Sequence, residues 1–420
     1  MINFSELEYT SGNKKPNKLS LPESLATRIA RNIGNSTVAF KLRYYHDFLD
    51  FLRLIGLHIT YQNDQLLAQH GENERVTGLL HELLVQLDLV NSESRNFPTL
   101  SDHDGKYINA MISEKSGQSI GIENPHLRQI ITGYHRVMEL VKCYRNKDYV
   151  PHHLKNPEKW KALISSGILD YEVRLAETLF ELSKLKLGQK IPSPFDESYY
   201  SESGRKAFHN YTRPRFIEII KKRFHDQQSV KVLDIGCGYG NYIHAVKEAK
   251  PGAQIHGVEI QAELYEKLLS EFKSDDSVTI SNKSILSDEL KGRYDLILLN
   301  YVLFYFNSAE KDELYRKLRS LLSKSGSILI CQYYSGIEAL KFELAKKQGD
   351  LSLSRRIEMY YGNKILYANT LWNEMASTFS EAEIWTEFES RVRSNNLTIK
   401  SLTNADRFYY SLFIELGHPK

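Results

Sequence analysis

The chain has 420 residues, 41% of them hydrophobic and 25% charged, with a formal net charge of +3. That length favours two domains, and that composition excludes a wholly disordered or collagen-like chain. The small net charge excludes a global basic field, and no apolar run has the length of a membrane span.

Residues 1–20 are polar, include Ser11-Gly12-Asn13-Lys14-Lys15-Pro16, and read as a flexible arm. From Ser24 to about Ile55 the pattern is helical, with Ala39, Leu42, Phe48, Phe51 and Leu52 on one side. Leu57 to Gln69 divides into two strand-like runs around Asn63-Asp64, a hairpin signal, and Arg75 to Val90 is a strongly apolar helix. Helix, hairpin and helix at this spacing are compatible with a winged-helix-like unit. Residues 91–125 are polar and turn-rich. Helices are predicted at Pro125–Tyr144, Asn156–Gly167 and Asp170–Leu187, the last lined by Leu175, Thr178, Leu179 and Leu182. Residues 21–190 thus form a mostly helical domain, and Gly188–Pro194 is a linker.

The second domain, residues 195–420, begins its regular pattern at Val232–Asn241, VLDIGCGYGN. An apolar run ends in Asp234, then Gly236, Gly238 and Gly240 alternate, and a helix follows over Asn241–Ala249. Glycines here let the backbone turn tightly and approach a ligand. Pro251-Gly252 ends the helix, and Gln254–Glu259 is the next strand, with Glu259 at its carboxyl end, twenty-five residues after Asp234. A carboxylate so placed can accept hydrogen bonds from a ribose diol. Ser277–Ser281 and Tyr294–Asn300 are further strands, the latter apolar enough for a parallel sheet covered on both faces. Asn307 and Glu310 make a capping box for a helix to about Leu322. Lys324-Ser325-Gly326 turns the chain into a strand over Ser327–Tyr333, and Leu397–Leu402 with Phe408–Leu416 reads as a closing hairpin. Between them lies an aromatic, helical insertion at about 335–396, with Ser380 and Glu383 capping its last helix.

The loop spacing is G-x-G-x-G with an acidic residue two positions earlier, not the dinucleotide G-x-G-x-x-G. DIGCGYG followed by GVE resembles the class I S-adenosylmethionine (SAM)-dependent methyltransferases, over about residues 205–416. The resemblance implies an α/β fold: a Rossmann-like seven-stranded domain, here preceded by the mostly helical domain. It implies SAM as cofactor. The Asp234 position lies near its methionine end, Gly236, Gly238 and Gly240 pass beneath it, and Glu259 binds the ribose. Ser284 stands where many members place an acidic residue for the adenine, with Asn282 or Asp288 as substitutes, and Asn300 completes the expected cofactor set.

Methyl transfer needs chiefly alignment of nucleophile, methyl and sulfur, and a neutral oxygen nucleophile also needs a base. Plant-type O-methyltransferases carry a histidine base after the fourth strand; Phe304 occupies that place here. His209 and Tyr211, just before the core, are the candidate polar groups of the acceptor pocket. Tyr301, Phe304, Tyr305, Tyr333 and Tyr334, at the carboxyl edge of the sheet, are its candidate walls. Asn300-Tyr301-Val302-Leu303 lacks the Asn/Asp-Pro-Pro-Tyr tetrad of nucleobase amino-methyltransferases. The expectation is therefore methylation of oxygen or nitrogen on a small aromatic or secondary metabolite. Two alternatives stay open: a non-catalytic SAM-fold binding or regulatory protein, and an enzyme using SAM for other chemistry. Domain order, by analogy with small-molecule O-methyltransferases, points to a homodimer through the helical domain. No nucleic-acid or membrane partner is expected. Cys143, Cys237 and Cys331 lie far apart, so neither a metal site nor a disulfide framework is expected. Without a signal-like N-terminus the default location is cytoplasmic.

Overall fold

The computed structural model describes residues 2–3, 37–63, 74–91, 97–98, 100–112, 124–146, 149, 158, 170–184, 189–190, 201, 204–205, 208–376, 381–406 and 409–419. The chain divides into two compact units: residues 19–196 with 360–378, and residues 1–18, 197–359 and 379–420. All of the predicted helix at 156–167 except Glu158, most of the linker at 188–194, and Ser380 lie outside the described residues.

The first unit is built on helices α1 (Thr37–Gln62), α2 (Glu74–Gln86), α3 (Asp102–Ile112), α4 (Pro125–Arg145) and α5 (Asp170–Leu182). Asn124 starts α4, accepting from the backbone N–H groups of His126 and Leu127 ahead of Pro125 in the first turn. Helices α1 and α4 lie close enough that a Cβ at Gly133 would fall 2.4 Å from the Asp50 Cβ. Beside that contact the buried Arg53 binds Asp50 at 2.8 Å and donates to the Leu87 carbonyl.

Two expectations for this unit need correction. Leu57–Gln62, expected as the first strand of a hairpin, is the end of α1; residues 64–69 lie outside the described set. The apolar run Phe48, Phe51, Leu52, Ile55 and Ile59 continues at helical spacing, all of it buried, and burial overrides the β preference of Ile59-Thr60. Thr60 fits the helix by donating to the Gly56 carbonyl at 2.8 Å. The segment 91–125, expected to be polar and turn-rich, contains α3. Ser101 initiates that helix by accepting from the Asp104 N–H, and Ile108, Met111 and Ile112 bury its inner face.

The second unit contains α6 (Arg213–Arg223) and an eight-stranded sheet. Its strands are β1 (Ile2–Asn3), β2 (Lys231–Ile235), β3 (Gln254–Glu259), β4 (Val278–Asn282), β5 (Tyr294–Asn300), β6 (Leu322–Gln332), β7 (Thr398–Asn404) and β8 (Leu412–Gly417). The order is β1-β7-β8-β6-β5-β2-β3-β4, with the run from β6 to β4 parallel and β8 reversed between β6 and β7. Thus the seven expected strands are present. Ile2–Asn3, expected within a flexible arm, pairs with β7 as a short edge strand.

Side chains alternate across the sheet with period two, and both faces are covered. Ile297 and Leu299 of β5 pack on one side with Ile328 and Ile330 of β6. Leu296 and Leu298 pack on the other with Leu329 and with Ile243 of α7 (Asn241–Ala249). Helix α8 (Ala262–Glu271) adds Leu268 to that second face; α9 (Ser308–Leu321) adds Leu314 and Leu318 to the first. The Asn307–Glu310 capping box of α9 forms as expected, with bonds of 3.0 and 2.8 Å. Strand β6 begins at Leu322, earlier than expected, and Lys324–Gly326 lies within it beside a register shift opposite Tyr294.

The insertion holds α10 (Glu338–Lys347), α11 (Leu353–Met375) and α12 (Trp385–Ser394), and the unit boundary falls after Met359 within α11. Glu383 does not cap α12. It accepts from Arg391, while Glu387 accepts from the Ile384 N–H. No described helix is long and apolar enough to cross a membrane.

Candidate functional site

Strand β2 pairs with β3 on one side and β5 on the other, so the chain reverses its direction of travel across the sheet there. Ligands of open α/β sheets bind beyond the carboxyl ends at such a switch point. The loop leaving β2 carries Gly236, Gly238 and Gly240 at φ of 65°, 51° and 71°, all in the left-handed region. The Gly236 and Cys237 N–H groups both reach the Val258 carbonyl of β3, and Gly238 N–H donates to Glu259 Oε2 at 2.9 Å. Glu259 Oε1 accepts from Gln261 N–H at 2.9 Å. The end of β3 therefore holds the loop by its own side chain.

The three glycines have different surroundings. A Cβ at Gly236 would meet Val302 at 3.0 Å, and one at Gly240 would meet Leu268 at 2.8 Å. A Cβ at Gly238 would meet nothing nearer than the Gly236 carbonyl at 3.9 Å, which leaves that side open for a ligand. Gly240→Ala is expected to lower stability by about 1–3 kcal/mol, from backbone strain plus the collision. Gly238→Ala should cost only about 1–2 kcal/mol of strain, yet abolish nucleoside binding. Denaturant melts paired with ligand titrations check this; equal binding losses in the two variants would refute the distinction.

Asp234, next to last in β2, is 2% exposed, with Oδ2 lacking any hydrogen-bond partner. Burial, reinforced by the charge of Glu259, pushes its carboxyl up to about 8. Asn300 closes β5, also buried, and neither its amide oxygen nor its nitrogen has a partner. Buried polar atoms are nearly always satisfied in a complete site. These three orphaned atoms, an open glycine and a strand-end carboxylate suit the expected SAM: cationic and hydroxyl donors for Asp234 and Glu259, and a donor and acceptor for Asn300.

Ser284 is placed differently from expectation. Its hydroxyl accepts from the Leu286 and Ser287 N–H groups and its own N–H donates to Asp288, so it builds the turn after β4. Asn282 clamps the end of β3, donating to the Glu259 and Ile260 carbonyls. Ile260 was missed by sequence reasoning. It is 68% exposed immediately after Glu259, an apolar side chain turned away from the core. An apolar residue just past a strand-end carboxylate was the available signal.

Beyond β5 the candidate walls divide. Tyr301 adopts φ of 53°, its N–H bound to the Cys331 carbonyl and its hydroxyl donating to Ser411 at 2.9 Å. Phe304 is buried and stacks on Tyr333, and Tyr305 is 41% exposed beside it. Tyr334 is a correction: it points into the core against Trp385 and Phe388, because successive residues leaving a strand face opposite sides. Tyr410, which sequence reasoning did not select, lies 5.7 Å from Tyr333 between ring centroids.

His209 lies on a π-helical turn (Phe208–Thr212) ahead of α6 and is exposed; Tyr211 is half-buried. Desolvation, then the charges of Arg205, Arg213 and His244, hold the His209 imidazole below its ordinary value. Its described neighbours are those groups and the Phe208 ring, and none of them belongs to the tyrosine wall. Among the described residues no cluster of metal-ligating side chains occurs.

Residues 233–328 match a family described as a methyltransferase domain. Phosphoethanolamine N-methyltransferase of Plasmodium falciparum is 26% identical over 147 residues, 33% of this chain and 55% of that protein. Malonyl-[acyl-carrier protein] O-methyltransferase of Priestia megaterium is 26% identical over 144 residues, 31% of this chain and 52% of its own length. The chain thus spans about half the length of the curated relatives it matches. Among solved structures, the pyocyanin biosynthetic protein PhzM is similar over 93% of this chain and 99% of its own, at 15% identity and a TM-score of 0.42.

Proposed function

Residues 233–328 are a class I SAM-dependent methyltransferase domain, and we propose on that premise that the protein methylates an oxygen or nitrogen of a small aromatic metabolite. The observation that carries the proposal is the set of unpartnered polar atoms on Asp234 and Asn300 around the open face of Gly238. When bound, SAM supplies a methyl group on a positively charged sulfur, already activated for displacement.

The protein's share is then binding and alignment. Glu259 would hold the ribose diol while keeping the glycine loop in place. Asp234 would receive the cationic end of the cofactor. Ile260 would cover an apolar face of it, and Asn300 would anchor a polar group at the junction with the acceptor. Tyr301, Tyr305 and Tyr333 would present the acceptor ring and exclude water. Phe304 has no proton to accept or give, so a phenolic acceptor needs a base elsewhere, and an unprotonated amine needs none.

His209 and Tyr211 are the proposed polar groups. With its value lowered, His209 is neutral at pH 7 and can take a proton. If it is the base, His209→Ala should lower kcat for a phenol by about 10²–10⁴-fold and leave arylamine turnover within a few-fold. Equal effects on both acceptor classes would remove it from that role. We further propose a cytoplasmic homodimer formed through the helical domain; light scattering of the full chain tests the dimer. Calorimetric titration with S-adenosylhomocysteine tests the cofactor site: one site per chain is expected, and no binding would overturn the reading.

A further inference from the structure

We infer that Tyr410, at the tip of the β7–β8 hairpin, is a specificity-determining residue that forms a wall of the acceptor site. The inference rests on the methyl-transfer reading above.

The hairpin tip meets the carboxyl end of the parallel sheet through two side chains. The Tyr410 ring lies 5.7 Å from Tyr333, which in turn lies 6.1 Å from Phe304 and 6.3 Å from Tyr301. Next to it, Ser411 Oγ accepts the Tyr301 hydroxyl at 2.9 Å. Strands β5, β6 and β8 thus each contribute to one aromatic surface, and Tyr410, Tyr333 and Tyr301 are all only half-buried.

The backbone on both sides of that surface is held in an uncommon conformation. Tyr301 has φ of 53° and Tyr409 has φ of 55°, a region a bulky side chain rarely adopts. Such conformations persist where surrounding structure over-determines them, and they gather at functional sites. The determinants at the hairpin tip are explicit. Asp406 accepts from the Tyr410 and Ser411 N–H groups at 3.2 and 2.8 Å. Asn404 donates to the Asp406 carbonyl, and the Tyr409 hydroxyl donates to Gln348 at 2.7 Å. Lys341 of α10 is fully buried and donates to the Tyr410 carbonyl at 3.4 Å.

Burying an ammonium is costly unless it is hydrogen-bonded. Burial pushes the Lys341 amine down to about 8, and the charges of Glu338 and Asp406 oppose that shift. Through that bond the buried lysine ties the backbone of the hairpin residue whose ring lies 5.7 Å from Tyr333. The hairpin turns its charged and amide groups inward as anchors and its aromatic ring towards the wall.

The test is ligand-observed saturation-transfer NMR with a panel of small phenols and anilines, at saturating S-adenosylhomocysteine. The expected result is transfer to the ring protons of at least one probe in the wild type. Affinity should fall tenfold or more in Tyr410→Ala and be kept within about threefold in Tyr410→Phe, with S-adenosylhomocysteine affinity unchanged in both. Three results overturn the inference: no aromatic probe binds although the nucleoside does, probe affinity is unchanged in Tyr410→Ala, or both affinities fall together in that variant. Failure of the nucleoside itself to bind the wild type would instead overturn the underlying methyl-transfer reading, and the inference with it.

Discussion

Glu259→Ala is expected to weaken S-adenosylhomocysteine binding by about a hundredfold or more. The carboxylate fixes the site and also faces it. Its two oxygens accept from Gly238 N–H and Gln261 N–H, each at 2.9 Å. Hydrogen bonds to a charged group are worth about 1.5–3 kcal/mol each, and about 1.4 kcal/mol is a factor of ten in affinity. Removing the carboxylate deletes the proposed partner of the ribose and frees the glycine loop from β3. The alanine variant should therefore also melt earlier. Glu259→Gln separates the two effects: its amide can still accept one loop N–H, so most of the stability should return while affinity stays well below wild type. An alanine variant that is folded and binds within about threefold of wild type would contradict the assignment.

The second large effect is on pH. Asp234 has a folded-state carboxyl raised to about 8 by burial and by Glu259, against about 3.9 for an unfolded aspartate. Between those values the folded protein holds a proton that the unfolded chain releases. The resulting stability is fully present below about pH 4 and is lost as pH rises through about 8, with a slope of up to about 1.4 kcal/mol per pH unit. Asp47 in the helical unit is raised to about 6 by burial against its Arg136 partner and adds a slope of the same sign at lower pH. The comparison that isolates Asp234 is therefore wild type against Asp234→Asn, by denaturant melts from pH 5 to 9. The wild type should lose stability across that range relative to the variant. A cationic ligand favours the ionised carboxylate, so affinity for SAM should rise with pH towards 8 in the wild type and be flat in Asp234→Asn. Parallel curves for the two proteins would show that Asp234 is already ionised in the free protein.

Much of the second domain was legible because its strands carry two independent signals. Tyr294–Asn300 carries an apolar run over Leu296–Leu299, and the glycines after Asp234 permit the left-handed turns found there. Local grammar also sufficed for the Asn307–Glu310 capping box. It failed where burial outweighed propensity: Leu57–Gln62 looks like a strand but continues the buried stripe of α1. Glu383 failed as a cap for another reason: it has the chemistry expected of it, but its carboxylate accepts from Arg391, a turn and more along α12. Tyr410 could not be selected from sequence at all, since its relation to Tyr333 depends on strand β8 lying beside β6. Asp234 stood out in the motif, but its raised carboxyl follows from burial beside Glu259, which sequence spacing does not encode.

The most direct test of methyl transfer at this site is product analysis. The purified chain is incubated with SAM labelled in the methyl group and a panel of phenols and arylamines, and the products are identified by mass spectrometry. The account predicts S-adenosylhomocysteine together with a labelled methyl group on an aromatic acceptor, both abolished in Glu259→Ala. Methylthioadenosine in place of S-adenosylhomocysteine, or bound cofactor with no product from any acceptor, would contradict it.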